Sequence, residues 1–211
     1  MKEQTTSILA RIWRIIRIPL AVVFVLLVGL TIYRIPFVLE REKTAETVEF
    51  IKNQRITLAD VNGENLPPRP SAAEADATVE GVDVNGNGIR DDVELAIFER
   101  YPNSARIRAA MLQYAMGLQL ELTQVFNSDT WKAAVIQSGR GSGCLFSTSP
   151  DVSLSDTEDV VRAAFAIGQS RIDEVQNLVL STNQRKEKDD EITKYTTTYG
   201  GTNEQDCDVE I

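Results

Sequence analysis

The chain opens on an uncharged apolar run, Ile18 to Tyr33, bounded by Arg17 and Arg34. Ile15 and Ile16 extend it, and the long Arg17 side chain can snorkel towards headgroups. Together they reach the roughly 17 to 25 residues that a spanning helix requires. Trp13 and Tyr33 stand where interfacial aromatics belong. A cleaved signal peptide is the rival reading, but Arg34-Ile-Pro-Phe-Val-Leu39 offers no small-x-small cleavage site. A buried core helix leaves the basic flank unexplained. An uncleaved transmembrane anchor over residues 18–35 is the expectation, with residues 1–17 as a basic cytoplasmic tail.

Beyond it the pattern changes. Residues 36–56 are charged and helix-prone, with Val48, Ile51 and Arg55 near helical spacing, and predict a helical stalk interrupted around Pro36. Residues 57–76 contain Pro67, Pro68 and Pro70, which favour extended backbone and forbid a helix; this stretch reads as a linker. Residues 77–211 then carry helical periodicity. A helix opens at Asp91, with Val93, Ile97 and Phe98 as its apolar stripe, and ends near Tyr101-Pro102. Asn103 or Ser104 caps the next, which runs to about Phe126 with Ile107, Met111, Tyr114, Leu118, Leu122 and Val125 as a core stripe. Asn127 or Ser128 caps a short helix through Trp131, Ala134, Val135 and Ile136. The glycine-rich Ser138 to Cys144 lacks the lysine of a phosphate loop and reads as a flexible connection.

Ser155-Asp-Thr-Glu158 has the capping-box pattern and predicts the start of the longest helix. Its Val161, Phe165, Gly168, Ile172, Val175 and Val179 form a heptad seam that requires a helix packed along it. The 104–126 helix is the expected partner, and self-association into a homo-oligomer is the minority reading. Arg185 to Glu191 reads as a solvated charge run, and the Thr196–Thr202 tail as polar and extended. The fold class is therefore mainly α: an N-terminal transmembrane helix followed by a small helical bundle with one calcium-type loop.

Composition narrows the function classes. The 211 residues are 43% hydrophobic and 25% charged, as in an ordinary globular chain. A net charge of −9 argues against nucleic acid as a partner. The chain has no histidine, which excludes Ser-His-Asp, Cys-His and His-ligated metal chemistry.

Orientation follows from the basic residues. Lys2, Arg11, Arg14 and Arg17 precede the apolar run and Arg34, Arg41 and Lys43 follow it, a four-to-three bias that puts the N-terminus inside. The remainder then lies beyond an inner (cytoplasmic) membrane, in a periplasmic or extracellular space. No Asn-x-Ser/Thr sequon is present, which fits a bacterial periplasm slightly better. The two cysteines, Cys144 and Cys207, are an even number suited to an oxidising compartment. A bridge between them closes a loop of about 60 residues and stabilises by roughly 4 kcal/mol through loop-closure entropy. Two unrelated thiols are the alternative.

One stretch carries chemistry: Asp83-Val-Asn-Gly-Asn-Gly-Ile-Arg-Asp-Asp-Val-Glu94. It offers side-chain oxygens at Asp83, Asn85, Asn87, Asp91 and Glu94, with Gly88 at the sharp bend, and hard cations such as Ca²⁺ take six to eight oxygens in a flexible cage. A plain turn is the bland alternative, because Asn-Gly is also a hairpin signal; it leaves Asp91 and Glu94 unexplained. The stretch resembles the EF-hand calcium loop, D-x-[DN]-x-[DN]-G-x5-E. Its first half is similar to the loops of thrombospondin type 3 repeats and dockerin modules.

The resemblance implies a carboxylate ligand from Asp83, amide oxygens from Asn85 and Asn87, and the backbone carbonyl of Ile89. Asp91 acts directly or through water, and Glu94 closes the cage. Three departures stand out. Loop position eight, an aliphatic residue where two such loops pair, is Arg90, with Ile89 one residue earlier. The chain contains no second loop of the kind, and Ala77 to Val82, which reads as extended, replaces an incoming helix. An unpaired half-hand suits a structural site better than a cooperative sensor.

The leading functional expectation is a non-catalytic, membrane-anchored calcium-binding domain that binds a protein partner in the cell envelope. A calcium-responsive switch is the second reading. An enzyme working without histidine is the third, its carboxylate pairs (Asp173 and Glu174, Asp189 to Glu191) being explained by solvation.

Overall fold

The computed structural model describes residues 2–153, 155–200 and 205–211, with residues 2–12, 14, 15 and 18 described by backbone alone. Among these residues there is no strand; eight α-helices and one 3-10 turn make up the regular structure. The chain divides into two compact units, Met1–Ala45 and Glu46–Ile211.

Helix α1, Lys2–Asn53, runs unbroken through both Pro19 and Pro36. The expected interruption at Pro36 is therefore absent. A proline removes one backbone hydrogen bond from a helix, which long apolar helices tolerate. Among the described residues, α1 is the one helix long and apolar enough to cross a membrane, with an 18-residue window of mean hydropathy 2.3 and none of that window buried.

In the second unit the stretch expected as a linker, residues 57–76, is folded. It carries α2, Leu58–Asn62, and α3, Ala72–Ala75, each opened by a reciprocal capping box, Thr57 with Asp60 and Ser71 with Glu74. Val61, Pro67 and Ala75 are buried. Proline fixed the backbone here without keeping the segment off the core.

The remaining helices are α4 (Asp91–Arg100), α5 (Ala105–Gln124), α6 (Ser128–Ser147), α7 (Glu158–Val179) and α8 (Asn183–Ile192). Helix α5 is the centre. Its expected stripe is buried at Met111, Tyr114, Leu122 and Val125, yet Leu112, Ala115, Met116 and Leu120 are equally buried. A helix wrapped by neighbours is apolar on more than one face. Ser104 caps it, its hydroxyl accepting from Ile107 N, and Asn127 caps α6, its side-chain oxygen accepting from Asp129 N and Thr130 N.

Helix α6 corrects the largest misreading, because it continues through the whole glycine-rich stretch to Ser147. The glycines serve close approach. A Cβ at Gly141 sits 2.6 Å from Tyr114 Cα, and one at Gly117 sits 2.5 Å from Ser138 Cα. No side chain fits at either point, so α5 and α6 pack nearly backbone to backbone, and the dispersion gained there offsets glycine's low helix propensity.

Helix α7 starts at Glu158 with Thr157 as its N-cap and no side-chain cap bond, so the Ser155–Glu158 capping box does not form. Glu158 instead pairs with Arg162 one turn on. Four of the six seam positions are occupied: Gly168, Ile172, Val175 and Val179 are buried against α5 and α6, while Val161 and Phe165 are exposed. The predicted disulfide is present, Cys144–Cys207, with Cα atoms 4.9 Å apart. It holds down a C-terminal segment that also reaches the core through Asp208, whose backbone N–H donates to Gln113 Oε1 at 2.9 Å. Gly201 and Thr202 of the expected extended tail lie outside the described residues.

Candidate metal centre

Residues 83–90 form a loop that closes on itself, and residues 91–94 are the first turn of α4. Asp91 N donates to Val82 O at 2.8 Å, joining the two ends. The approach over Ala77–Val82 is a series of bends, not a strand, and no helix runs into the loop. Gly88 takes φ 81°, as the bend requires, and Gly86 takes φ 70°. Both angles lie in the left-handed region that only glycine enters freely.

Asp83 organises the bend. Its Oδ1 accepts from Gly86 N at 2.8 Å and its Oδ2 from Gly88 N at 2.9 Å. Asn85 Nδ2 donates to Glu94 Oε2 and to Asn65 O, both at 3.0 Å, and Asn87 Nδ2 donates to Glu94 Oε1 at 3.0 Å. Asn87 Oδ1 accepts from Ile89 N at 2.9 Å, while the Ile89 side chain lies in the core. Asp91 Oδ1 accepts from Val84 N at 3.0 Å. Asp91 Oδ2 is buried and has no hydrogen-bond partner.

The sequence placed the acidic residues of α4's first turn correctly, at a helix N-terminus whose dipole favours negative charge. It did not anticipate their burial. Asp91 is 0% and Glu94 1% exposed. Burial pushes the Glu94 carboxyl up to about 7, against the pull of the Asn85 and Asn87 hydrogen bonds and with help from Asp60 and Asp91. Burial likewise raises Asp91, with Asp83 and Asp92 adding to it.

The neighbouring cation does not compensate them. Arg90 turns away to Asp92, at 2.6 Å, and to the carbonyls of Leu178 and Val179. Among the described residues, no salt bridge involves Asp83, Asp91 or Glu94. Uncompensated buried carboxylates are costly. The amide NH₂ groups of Asn85 and Asn87 turn their positive dipoles to Glu94.

Among the described residues, no three Asp, Glu or Cys side chains converge as a preformed cage. The six predicted positions are instead brought into one hydrogen-bonded loop. Its carboxylates offer oxygen, Asn85 and Asn87 face Glu94 with Nδ2, and its one orphaned atom is a carboxylate oxygen. That set fits a hard divalent cation better than a thiophilic one. Sequence reasoning missed Asn65 and Asp60, which approach the loop from the α2 region, and nothing in their local sequence marks them.

A second pair of perturbed carboxyls lies elsewhere. Glu121 of α5 is raised to about 7 by burial, with the Ser138 hydroxyl pulling down and Asp189 of α8 pushing up. Asp189 is itself raised, by burial and by Asp190. Glu174, one of the carboxylates read as solvated, is bound to Arg100 and to the Tyr101 hydroxyl, the latter at 2.8 Å. No family of proteins, no curated protein and no solved structure matches the chain.

Proposed function

We propose that this chain is a membrane-anchored, non-catalytic calcium-binding protein whose Asp83–Glu94 loop holds one structural Ca²⁺. The observation that carries this reading is Asp91 Oδ2. It is a buried carboxylate oxygen without a partner, in a loop whose other buried carboxylate, Glu94, also lacks a cation. Natural proteins leave few such atoms unsatisfied, and an ion is one of the standard explanations. Asp83, Asn85, Asn87, Asp91 and Glu94 would hold the ion, with the Ile89 carbonyl. The bound ion would supply positive charge to a site whose buried carboxylates, Asp91 and Glu94, have none. For Asn85 and Asn87 to serve as ligands, their amides must turn to present oxygen where they now present nitrogen.

The structural role is favoured over a switch by the bonds that already order the loop backbone, those from Gly86 and Gly88 to Asp83 and from Asp91 to Val82. In this reading α1 is the anchor, the N-terminus faces the cytoplasm, and the second unit is periplasmic or extracellular, where it binds an envelope protein. The disulfide supports that compartment, since such bonds persist in oxidising surroundings.

The test is a calorimetric titration of calcium into the full chain in detergent micelles, beside Asp83→Ala, Asp91→Asn and Glu94→Ala. Saturable one-to-one binding that the substitutions abolish, with a calcium-dependent rise in melting temperature, is the expected result. A large gain in helicity on adding calcium would favour the switch instead. No heat and no stabilisation at calcium well above roughly 10⁻³ M, the weak end for extracellular modules, would refute the reading.

A further inference from the structure

Arg90 stands at the loop position where a paired calcium loop carries an aliphatic residue, and its side chain shows what replaces the missing sister loop. It is 1% exposed. Its Nη1 donates to Val179 O at 3.1 Å, and its Nη2 to Leu178 O at 3.0 Å and to Ser181 Oγ at 3.2 Å. These are the last carbonyls of α7 and the turn that follows, where a helix accepts positive charge. The stem of Arg90 crosses the approach to the loop so closely that a Cβ at Gly81, which has φ 67°, would lie 2.2 Å from Arg90 Cδ.

Arg185 comes to the same place from α8. It is 0% exposed, although its surroundings in sequence are a charge run. Its Nη1 donates to the same Ser181 hydroxyl at 3.0 Å and to Asp76 Oδ1 at 2.9 Å. Its Nη2 donates to Thr78 O at 3.0 Å and to Ala75 O, and its Nε to Val79 O at 3.2 Å. One guanidinium thus gathers the backbone of residues 75–79 before the loop, and the other holds the residue just ahead of α4. Ser181 joins the two. Two like charges side by side in the interior are costly, and here each is held by carbonyls and a carboxylate that fix its position.

We infer that Arg90 and Arg185 are positioning residues for the metal loop, and that the α7–α8 turn performs the bracing which a second loop performs in a paired hand. The inference rests on the calcium reading. It extends that reading to residues far from the loop in sequence, Ser181 and Arg185, which touch no proposed ligand. Release of either guanidinium frees one end of the loop, so more of the loop must be ordered when the ion arrives, and affinity falls.

The experiment uses the full chain in detergent micelles, with Arg185→Met, Arg185→Lys and Ser181→Ala. Calcium affinity is measured by calorimetry. Luminescence lifetimes of bound terbium(III) in H₂O and D₂O report how many waters remain on the ion. Arg185→Met is expected to weaken calcium binding at least tenfold and to add at least one water. Arg185→Lys is expected to do the same, because an ammonium cannot span the five acceptors that the guanidinium reaches. Ser181→Ala removes little volume and is expected to weaken binding about threefold; it carries the test if Arg185→Met does not fold.

A merely structural arginine would lower the metal-free melting temperature and leave affinity and hydration unchanged. Values within twofold of the unmodified protein, with the same water count, overturn the positioning role. Full recovery by Arg185→Lys overturns it too, in favour of charge alone. Absence of binding by the unmodified protein overturns the calcium reading itself, a distinct outcome.

Discussion

Arg140 of α6 and Asp208 of the C-terminal segment form an ion pair of 2.6 Å with side chains only 4% and 1% exposed. Arg140 also donates to Gln137 Oε1 at 2.9 Å and to Gln205 O at 3.0 Å. The second oxygen of Asp208 accepts from Ile56 N at 3.1 Å. The pair therefore joins α6, the C-terminal segment and the residues just after α1.

Asp208→Ala removes the buried carboxylate that Arg140 meets at 2.6 Å and Arg55 at 3.4 Å. Breaking a buried pair in this way costs about 3 to 5 kcal/mol, more than the pair itself contributes. Urea unfolding at neutral pH measures it. The double variant Asp208→Leu with Arg140→Met is expected to recover much of the loss. A single-variant cost below about 1 kcal/mol would show that water reaches the pair.

Gly141→Ala places a methyl group 2.6 Å from Tyr114 Cα, so α5 and α6 must separate. Overpacking of this kind destabilises by about 1 to 3 kcal/mol. Gly139, two residues earlier on the same helix, has nothing within 4 Å of its Cβ position. Gly139→Ala is expected to stabilise by roughly 0.5 to 1 kcal/mol through helix propensity. Thermal melts of the two variants should move in opposite directions, and equal shifts would contradict the close approach.

The Glu121 carboxyl gives a pH signature. Folding raises it from 4.5 to about 7, so the folded state holds this proton more tightly than the unfolded chain does. The stability that follows is complete below about pH 4.5 and is lost as pH rises through about 7. Asp189, also raised, has the same sign. Glu121→Gln is expected to stabilise the protein at pH 8 by on the order of 2 kcal/mol and to change little at pH 4. Chemical unfolding at the two pH values checks it; an equal effect at both would assign the change to packing.

Local signals were readable from the residues alone. Ser104 and Asn127 mark the starts of α5 and α6, and Tyr101 ends α4, because a cap is a contact within a few residues. The cysteine pairing followed from there being two. Not every local signal held, since the Ser155–Glu158 capping box does not form, but the larger failures were long-range. Ser138 to Cys144 looked like a connection because glycine signals freedom in isolation, and only the nearness of Tyr114 turns it into a packing device.

Arg185 looked solvated because its acceptors, Ala75, Thr78 and Val79, are more than a hundred residues away. In the candidate site the spacing of the oxygens was legible, and so was the glycine bend. The burial of Asp91 and Glu94 was not, since it is made by the helices around them.

The glycine-rich stretch also bears on how the protein can be handled. By composition it is the place to insert an epitope tag or a fluorophore, and an insertion there would drive a wedge into the close approach of α5 and α6. The exposed residues Asp151, Val152 and Ser153, between α6 and α7, offer a tether point that leaves that contact closed.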